Sequence, residues 1–329
     1  MNFTGINKTD PCLIFSCPER SVSTAVYVLL YASAAAVVLL TVCGNLLIII
    51  SVCHFKQLHT PTNMLILSLA VSDFLVGLLV IPIAIIWMIE SCWIFNAVSC
   101  LCYIYISYFL TATSIFNIAL IAVDRYVALS NPFFYTKSVS VNTMCLAVVS
   151  NWVLLLLYHS ALLYFNGHYT NLVLCPGNCF LVLDKVWYLI ELVLKFALSF
   201  TVIMILYTLV FIIARKHASA IRDLRVNTRK HTSKHQIDIK KSERKAARVL
   251  GILVFVFLAC VLPITLYTAL SSVIQFEIGT FQILVMLVYL NSTINPVIYA
   301  LFYPWFRRCV KLTLTLQIFN SSSSLIHVL

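Results

Sequence analysis

The chain has 329 residues, of which 62% are hydrophobic and only 10% are charged. This composition leaves too little polar surface for a water-soluble domain of this length, and it favours a protein whose solvent is the lipid bilayer. The net charge of +11 suits contact with anionic lipid or a partner protein, and we expect no nucleic-acid ligand.

Seven apolar segments follow one another along the chain, and each is long enough for a spanning helix of ~20 residues. Their apolar residues are continuous rather than alternating, which predicts helices. We therefore predict an all-α membrane protein, a bundle of seven transmembrane helices with a short amphipathic helix after the last one. The predicted spans 1 to 7 cover residues 24–53, 62–88, 97–123, 143–165, 186–214, 246–272 and 279–303.

The basic residues predict the orientation of the bundle. Twelve of the 22 Lys and Arg residues lie between Arg215 and Arg248, where span 5 is connected to span 6, and such clusters mark the cytoplasmic side. The glycosylation triplets at Asn2 and Asn7 agree, since they are usable only outside the cell. We predict a multi-pass plasma-membrane protein with an extracellular tail (1–23), a seven-helix domain (24–303) and a cytoplasmic helix and tail (304–329). We expect the basic cytoplasmic loop (215–245) to extend the helices at its two ends.

Ten of the twelve cysteines divide between the predicted membrane and its outer side. Six cysteines can pair in 15 ways, so the spacing of the outer ones fixes no disulfide. We expect the cysteines within spans to be small residues of the core. The outer cysteines are Cys12, Cys17, Cys92, Cys100, Cys175 and Cys179. Those expected in the core are Cys43, Cys53, Cys145 and Cys260.

A carboxylate lies in the middle of span 2, at Asp73. Ionisable groups inside a membrane are costly, and they mark functional sites by default. Ser114, Asn291, Ser292 and Asn295 are further polar residues in otherwise apolar spans. A carboxylate surrounded by hydroxyl and amide oxygens suits a small hard cation. We predict a sodium site at Asp73, Ser114, Asn291 and Asn295, and we expect no other cofactor.

The tripeptide Asp124-Arg125-Tyr126 ends span 3 at its predicted cytoplasmic end. Arg125 could simply extend its charged group toward water. However, Asp124 beside it and Glu243 near the start of span 6 are two possible ion-pair partners. An ion pair between two helix ends breaks when the helices separate, so we predict a conformational switch here.

These motifs together resemble the rhodopsin-like G-protein-coupled receptors over nearly the whole chain. Within that superfamily, the long string at the end of span 7 resembles the fingerprint of the trace amine-associated receptors. The superfamily landmarks are Gly44-Asn45, Leu69 to Asp73, Trp93, Cys100, Asp124 to Tyr126, Trp152, Pro263 and Asn295-Pro296 to Tyr299. The fingerprint residues are Asn291-Ser292, Asn295-Pro296, Tyr299, Tyr303 and Trp305-Phe306.

The resemblance implies a chemosensory, olfactory receptor for amines that activates a heterotrimeric G protein of the stimulatory type. It implies disulfides Cys100–Cys179 and Cys17–Cys175, the second of which would hold the extracellular tail. It also implies that two tyrosines take part in switching and G-protein coupling, together with the residues at the end of span 3. These tyrosines are Tyr207 and Tyr299.

The chain departs from the family pattern in the predicted ligand pocket. Aminergic receptors place an Asp in span 3 to bind the ligand ammonium, and Ser107 stands at that position. A neutral hydroxyl cannot form the ion pair that makes amine recognition strong. Tyr289, which normally bonds that Asp, is retained. Val261 replaces an aromatic residue before the span-6 proline, and Ser199 replaces a proline in span 5.

Span 5 offers a replacement for the missing carboxylate. Glu191 and Lys195 have the i, i+4 spacing of one helix face. They could form an ion pair that serves only to neutralise two charges in the membrane. Alternatively, Glu191 binds the ligand ammonium, and its pairing with Lys195 would then favour a zwitterion. The remaining predicted ligand contacts lie in the outer halves of spans 3, 6 and 7, and they are Tyr108, Thr265, Tyr267 and Tyr289.

Three other classes of protein fit the sequence less well. The chain shows no nucleophile motif, metal cluster or phosphate loop, so we do not expect an enzyme. A small-molecule transporter is the alternative class, but the repeats and paired broken helices of transporters are missing. A light receptor would need a retinal-binding lysine in span 7, and residues 279–303 contain none. Within the receptor class, a non-amine or zwitterionic ligand is the alternative.

Overall fold

The structure is a computed structural model that describes residues 23–170, 177, 179, 185–193, 199–227, 234–270, 277–319, 324, 326 and 328. In parts of the helices, among them residues 166–170, 217–227 and 234–248, the backbone alone is described. Residues Asn2, Asn7, Cys17, Cys175 and Lys195 lie outside the described residues. The side chain of Glu243 is also not described.

The described chain is a bundle of long apolar helices. Six helices contain a stretch long and apolar enough to cross a membrane, and Phe200–Ile213 of span 5 is a shorter apolar helix. The seven-helix prediction is confirmed. The spans are Thr24–His54, Pro61–Glu90, Ala97–Ser130, Val141–Thr170, Lys185–Glu191 with Ser199–Asn227, Lys234–Ala269 and Ile278–Phe302.

Two short helices lie at the same end of the bundle as the end of span 3. The first, called here the loop helix, is Pro132–Ser138. It begins where the Asn131 side chain accepts a hydrogen bond from the Phe134 amide, as in a typical N-cap. The second is the predicted C-terminal helix, Pro304–Leu314, which is confirmed. The helices of spans 5 and 6 also extend into the basic connection, as expected.

Spans 2 and 5 are not regular α-helices throughout. The chain forms a π-helical segment at Val76–Val80, immediately before Pro82. Proline removes one backbone donor and crowds the carbonyl four residues earlier, so a wider turn accommodates it. In span 5 a π-type turn at residues 192–193 follows Glu191.

Packing between the spans is closest where glycine replaces a larger residue. Span 3 contacts spans 2, 4 and 5, and span 1 contacts both span 2 and span 7. A Cβ atom added at Gly44 would lie 2.7 Å from Cβ of Pro296, a distance that real side chains do not tolerate. Gly44 therefore lets spans 1 and 7 approach each other closely.

The expected burial of the membrane cysteines is wrong for three of the four. Cys260 is buried, but Cys43, Cys53 and Cys145 are exposed on the outside of the bundle. Lipid tails are as apolar as the protein core, so a small apolar residue is stable on either surface. Apolar character alone therefore does not decide which way a residue of a spanning helix faces.

Candidate ligand site, ion site and cytoplasmic switch

The outer end of span 3 is fixed by a disulfide between Cys100 and Cys179, as the resemblance implied. Beside it, the Trp93 amide donates to the Gly177 carbonyl at 2.8 Å, so the outer loop is also held through its backbone. Cys92 is disulfide-bonded as well, and its partner lies outside the described residues. The predicted Cys17–Cys175 bond also falls outside them and stays a prediction.

The position of the missing aspartate is occupied by a cluster of neutral hydroxyl groups. Ser107 is buried, and its hydroxyl donates to the Ile104 carbonyl at 3.0 Å. The hydroxyl oxygens of Tyr103 and Tyr289 lie 3.3 Å apart, and Ser107 also interacts with Tyr289. Tyr289 thus bonds another tyrosine instead of an aspartate. This cluster offers hydrogen bonds but no countercharge for an ammonium.

Glu191 is a buried carboxylate in the outer half of span 5, with only 6% of its surface exposed. The Tyr158 hydroxyl of span 4 donates to Glu191 Oε1 at 2.7 Å. Tyr108 of span 3 lies close enough for an electrostatic interaction with the same carboxylate. Glu191 and the predicted contact Tyr108 are therefore brought together, and Tyr158 joins them from a third span.

Tyr158 was not predicted from the sequence. Its only sequence signal is a hydroxyl in the outer half of a span, which most membrane tyrosines share. Aromatic rings surround its position, with Tyr158 5.1 Å from His159 and His159 6.2 Å from Phe109 between ring centroids. Span 4 thus supplies part of the wall beside Glu191.

The two predicted contacts in span 6 have backbone partners. The Thr265 hydroxyl donates to the Val261 carbonyl of its own helix at 2.9 Å. The Tyr267 hydroxyl lies 2.7 Å from the Glu277 amide and 3.1 Å from the Glu277 carbonyl. Tyr267 therefore joins the outer end of span 6 to the start of span 7. Their contact with a ligand stays a prediction.

Two of the predicted sodium residues, Ser114 and Asn295, contact Asp73, which is completely buried. The Ser292 hydroxyl donates to Oδ1 and the Asn295 amide to Oδ2, both at 2.7 Å. Ser114 also interacts with the carboxylate. Oδ1 of Asn291 is buried, with no hydrogen-bond partner among the described residues. Carboxylate, hydroxyl and unpaired amide oxygens together fit a small hard cation, and Ser292 belongs to this set although the predicted four residues omitted it.

The predicted ion pair at the end of span 3 is present between Arg125 and Asp124. Arg125 Nε donates to Asp124 Oδ2 at 2.9 Å. The Thr62 hydroxyl of span 2 donates to the same oxygen at 2.9 Å, and Arg125 also bonds Thr62. The Tyr135 hydroxyl of the loop helix donates to Asp124 Oδ1 at 2.8 Å. The ion pair is therefore joined to span 2 and to the loop helix, two partners that the sequence did not predict.

Two further predicted switch residues, Tyr207 and Tyr299, have buried hydroxyl groups near this ion pair. The hydroxyl groups of Tyr207 and Tyr299 have no hydrogen-bond partner among the described residues. A buried unpaired hydroxyl is costly, so these groups are suited to form bonds in a second conformation. Tyr126 is partly exposed at the same end of span 3. Its predicted role remains untested.

Comparison with known proteins identifies the family. Residues 44–299 match the model of the 7 transmembrane receptor (rhodopsin family). Trace amine-associated receptor 8a of Rattus norvegicus is 40% identical over 94% of this chain and 92% of that receptor. Trace amine-associated receptor 13c of Danio rerio is 35% identical over 97% of this chain and 95% of that receptor. The chain belongs to the trace amine-associated receptor family.

Membership of the trace amine-associated receptors determines the general role of the chain. It is a multi-pass plasma-membrane receptor rather than an enzyme, with a small-molecule ligand and a heterotrimeric G protein as partners. The relatives also agree with the fold, because they match along nearly their whole length.

One surface feature of this receptor was missed by the sequence analysis. Phe133 of the loop helix has 89% of its surface exposed, and its neighbour Phe134 is also exposed. Large exposed apolar side chains are a common sign of a contact surface. The loop helix also holds Tyr135, so this surface lies directly beside the Arg125 ion pair.

Proposed function

We propose that this trace amine-associated receptor detects an amine, or a molecule carrying both an amine and an acidic group, outside the cell and responds through a stimulatory G protein. The role is chemosensory, as an olfactory receptor. The observation that supports it best is the buried Glu191 carboxylate, held by Tyr158 opposite a neutral Ser107. The ligand ammonium would therefore lie against spans 4 and 5 rather than against the usual position in span 3.

Electrostatics favours a ligand ammonium bound against spans 4 and 5. A carboxylate removed from water requires a countercharge and hydrogen bonds. Tyr158 supplies one hydrogen bond, and a bound ammonium would supply a charge. Lys195 is four residues after Glu191, and its ammonium would compete with that of the ligand. Competition of this kind lowers affinity, so weak to moderate amines and zwitterions are the expected ligands.

The test is a cAMP reporter assay with an amine and amino-acid panel at matched surface expression. Glu191→Gln should abolish amine responses, whereas Ser107→Ala should change potency little. Lys195→Ala should raise the potency of simple amines if Lys195 competes with them. It should abolish responses to zwitterions if Lys195 binds the ligand's carboxylate. Glu90→Gln is the matched control, since it removes an acidic charge at the outer end of span 2, where Glu90 bonds Tyr31.

An unchanged panel of responses in Glu191→Gln would reject the amine anchor. The receptor would then bind a non-amine odorant through its apolar and aromatic walls. Uptake of a radiolabelled ligand, compared with cells lacking the receptor, tests the transporter alternative in the same preparation.

The predicted cytoplasmic end of the bundle supports the proposal that the receptor activates a G protein. The cluster of basic residues between spans 5 and 6 favours an arrangement with the N-terminus outside the cell and the switch inside it. Phe133 and Phe134 would give a G protein an apolar contact beside Arg125. Na⁺ at Asp73 would stabilise the resting conformation, because the ion's oxygen ligands come from spans 2, 3 and 7 together.

A further inference from the structure

A groove of about 450 Å³ lies where span 7 meets the C-terminal helix. Its volume falls within the range of small-molecule pockets, ~300–1,000 Å³. One face of the C-terminal helix and the last turn of span 7 form its walls. Among the lining residues are Ala300, Phe306, Arg307, Val310, Lys311 and Leu314.

Arg307 has a structural role at one edge of this groove. Pro304 has no backbone N–H, so the Ala300 carbonyl lacks the donor that a continuing helix would provide. The Arg307 guanidinium donates to the carbonyls of Ala300 and Leu301, at 3.0 and 2.9 Å. It therefore caps span 7 and places a fixed positive charge in the groove.

Lys311 is a second cation on the same face, one turn after Arg307. Its side chain is exposed. From Ile278 to Leu329 the chain contains no Asp or Glu, so span 7, the C-terminal helix and the tail provide no side-chain carboxylate for either cation. The groove thus presents an uncompensated positive edge above an apolar floor.

The residues around the groove face the bilayer. Leu301 of span 7 and Leu314 of the C-terminal helix have 65% and 72% of their surfaces exposed. Side chains of this kind are stable on a spanning bundle only against lipid tails. The groove therefore meets hydrocarbon on one side and the charged headgroup layer of the inner leaflet on the other.

We propose that this groove is a binding site for one anionic phospholipid. An acyl chain would lie along Phe306, Val310 and Leu314, and the negatively charged headgroup would pair with Lys311 beside Arg307. A free phosphate would leave the apolar lining unused, and a zwitterionic lipid would leave the positive edge uncompensated. The proposal does not depend on the identity of the odorant or on Glu191.

The test uses the whole receptor in phosphatidylcholine nanodiscs containing a minor fraction of phosphatidylserine. Native mass spectrometry then measures the ratio of retained phosphatidylserine to retained phosphatidylcholine. A basic residue near an anionic surface contributes about a five-fold preference, so Lys311→Ala should lower the ratio about five-fold. Ala300→Leu, which fills the floor of the groove, should lower the number of retained lipids of both kinds.

Lys137→Ala is the matched control, because Lys137 is an exposed lysine of the loop helix, away from the groove. It should leave the ratio unchanged. If Lys311→Ala and Lys137→Ala lower the ratio equally, the lipid is attracted by the basic surface as a whole, and the proposed site is overturned. A parent receptor that retains both lipids in the proportion of the disc, or retention that Ala300→Leu leaves unchanged, would also overturn it.

Discussion

The Tyr158 hydroxyl determines how the Glu191 carboxylate is presented to a ligand. This hydroxyl belongs to span 4 and donates to Glu191 Oε1 at 2.7 Å. A hydrogen bond to a charged group contributes ~1.5–3 kcal/mol. A ligand that pairs with Glu191 therefore meets a carboxylate already oriented by a neighbouring helix. Tyr158 is a positioning residue for amine recognition.

Tyr158→Phe should lower the potency of simple amines about tenfold, which corresponds to the lower end of that hydrogen-bond energy. The loss should be smaller than in Glu191→Gln, since the charge remains. Concentration–response curves at matched surface expression measure it. Tyr105→Phe is the control, because Tyr105 bonds Ser160 between spans 3 and 4, whereas Tyr158 bonds Glu191 between spans 4 and 5. If both variants shift potency alike, Tyr158 only supports the packing around span 4.

The Asp73 cluster should make agonist potency depend on sodium. Replacing choline by Na⁺ at constant ionic strength should lower potency, because the ion favours the resting state. Asp73→Asn should remove the dependence, and Ser292→Ala should reduce it, since the Ser292 hydroxyl lies on the same carboxylate. A sodium effect that persists in Asp73→Asn would place the ion elsewhere.

For single residues, the sequence predicts which ones belong to a site better than it predicts which side chains they contact. Asp73, Ser114, Asn291 and Asn295 are unusual because each is polar inside an apolar span, and such residues tend to pair with one another. Tyr158 was missed as a site residue because nothing local distinguishes it, whereas Ser292 carried the same signal as its neighbours and was left out of the predicted four. Their roles depend on which turns of two distant helices lie side by side.

The loop helix is the element that connects the cytoplasmic surface to the ion pair. Burial raises the pKa of the Tyr135 phenol above its ordinary value of 10.0, and the nearby Asp124 carboxylate adds to this shift. A raised pKa keeps the phenol protonated at neutral and mildly alkaline pH. Tyr135 therefore remains a donor to Asp124 throughout the physiological range.

Tyr135→Phe should raise ligand-independent cAMP production, because Asp124 loses a donor worth ~0.5–1.5 kcal/mol and holds Arg125 less firmly. The expected rise is a few-fold and independent of pH between 7 and 8.5. Glu243→Ala should raise basal activity too, if Glu243 is the second partner of Arg125. Lys137→Ala serves as the control within the loop helix. Basal activity that stays at the parent level in Tyr135→Phe would exclude this contact from the switch.

The elements themselves could be predicted from apolar runs, and their irregularities could not. The C-terminal helix follows from its basic and apolar faces, and the spans follow from length. The π-helical segment at Val76–Val80 depends on how Pro82 is accommodated between neighbouring helices. The wrong expectation for Cys43, Cys53 and Cys145 has a similar origin, since a spanning helix has apolar surroundings on every side.

At the scale of the whole molecule, disulfides at the predicted outer end of the bundle join distant parts of the chain. Six of the described cysteines are free, and Cys100 bonds Cys179. The possible partners of Cys92 are therefore Cys12, Cys17 and Cys175. If Cys17 pairs with Cys175, only Cys12 remains for Cys92.

Peptide mapping without reduction should recover Cys100–Cys179, Cys17–Cys175 and Cys12–Cys92. Closing long loops in this way restricts the unfolded chain and stabilises the folded one. Cys17→Ser with Cys175→Ser should therefore lower the unfolding temperature while leaving Cys100–Cys179 intact. Recovery of Cys92 with Cys17 or Cys175 would refute the implied pairing.

The contact of Gly44 with Pro296 would let span 1 influence the proposed ion site, although none of the predicted sodium ligands lies in span 1. Pro296 follows Asn295, whose amide bonds Asp73. A methyl group at position 44 would press on Pro296 and displace Asn295 with it. Inherited variation in this helix would then alter the receptor's sensitivity to its ligand without a direct contact with the ligand, the proposed ion or the G protein.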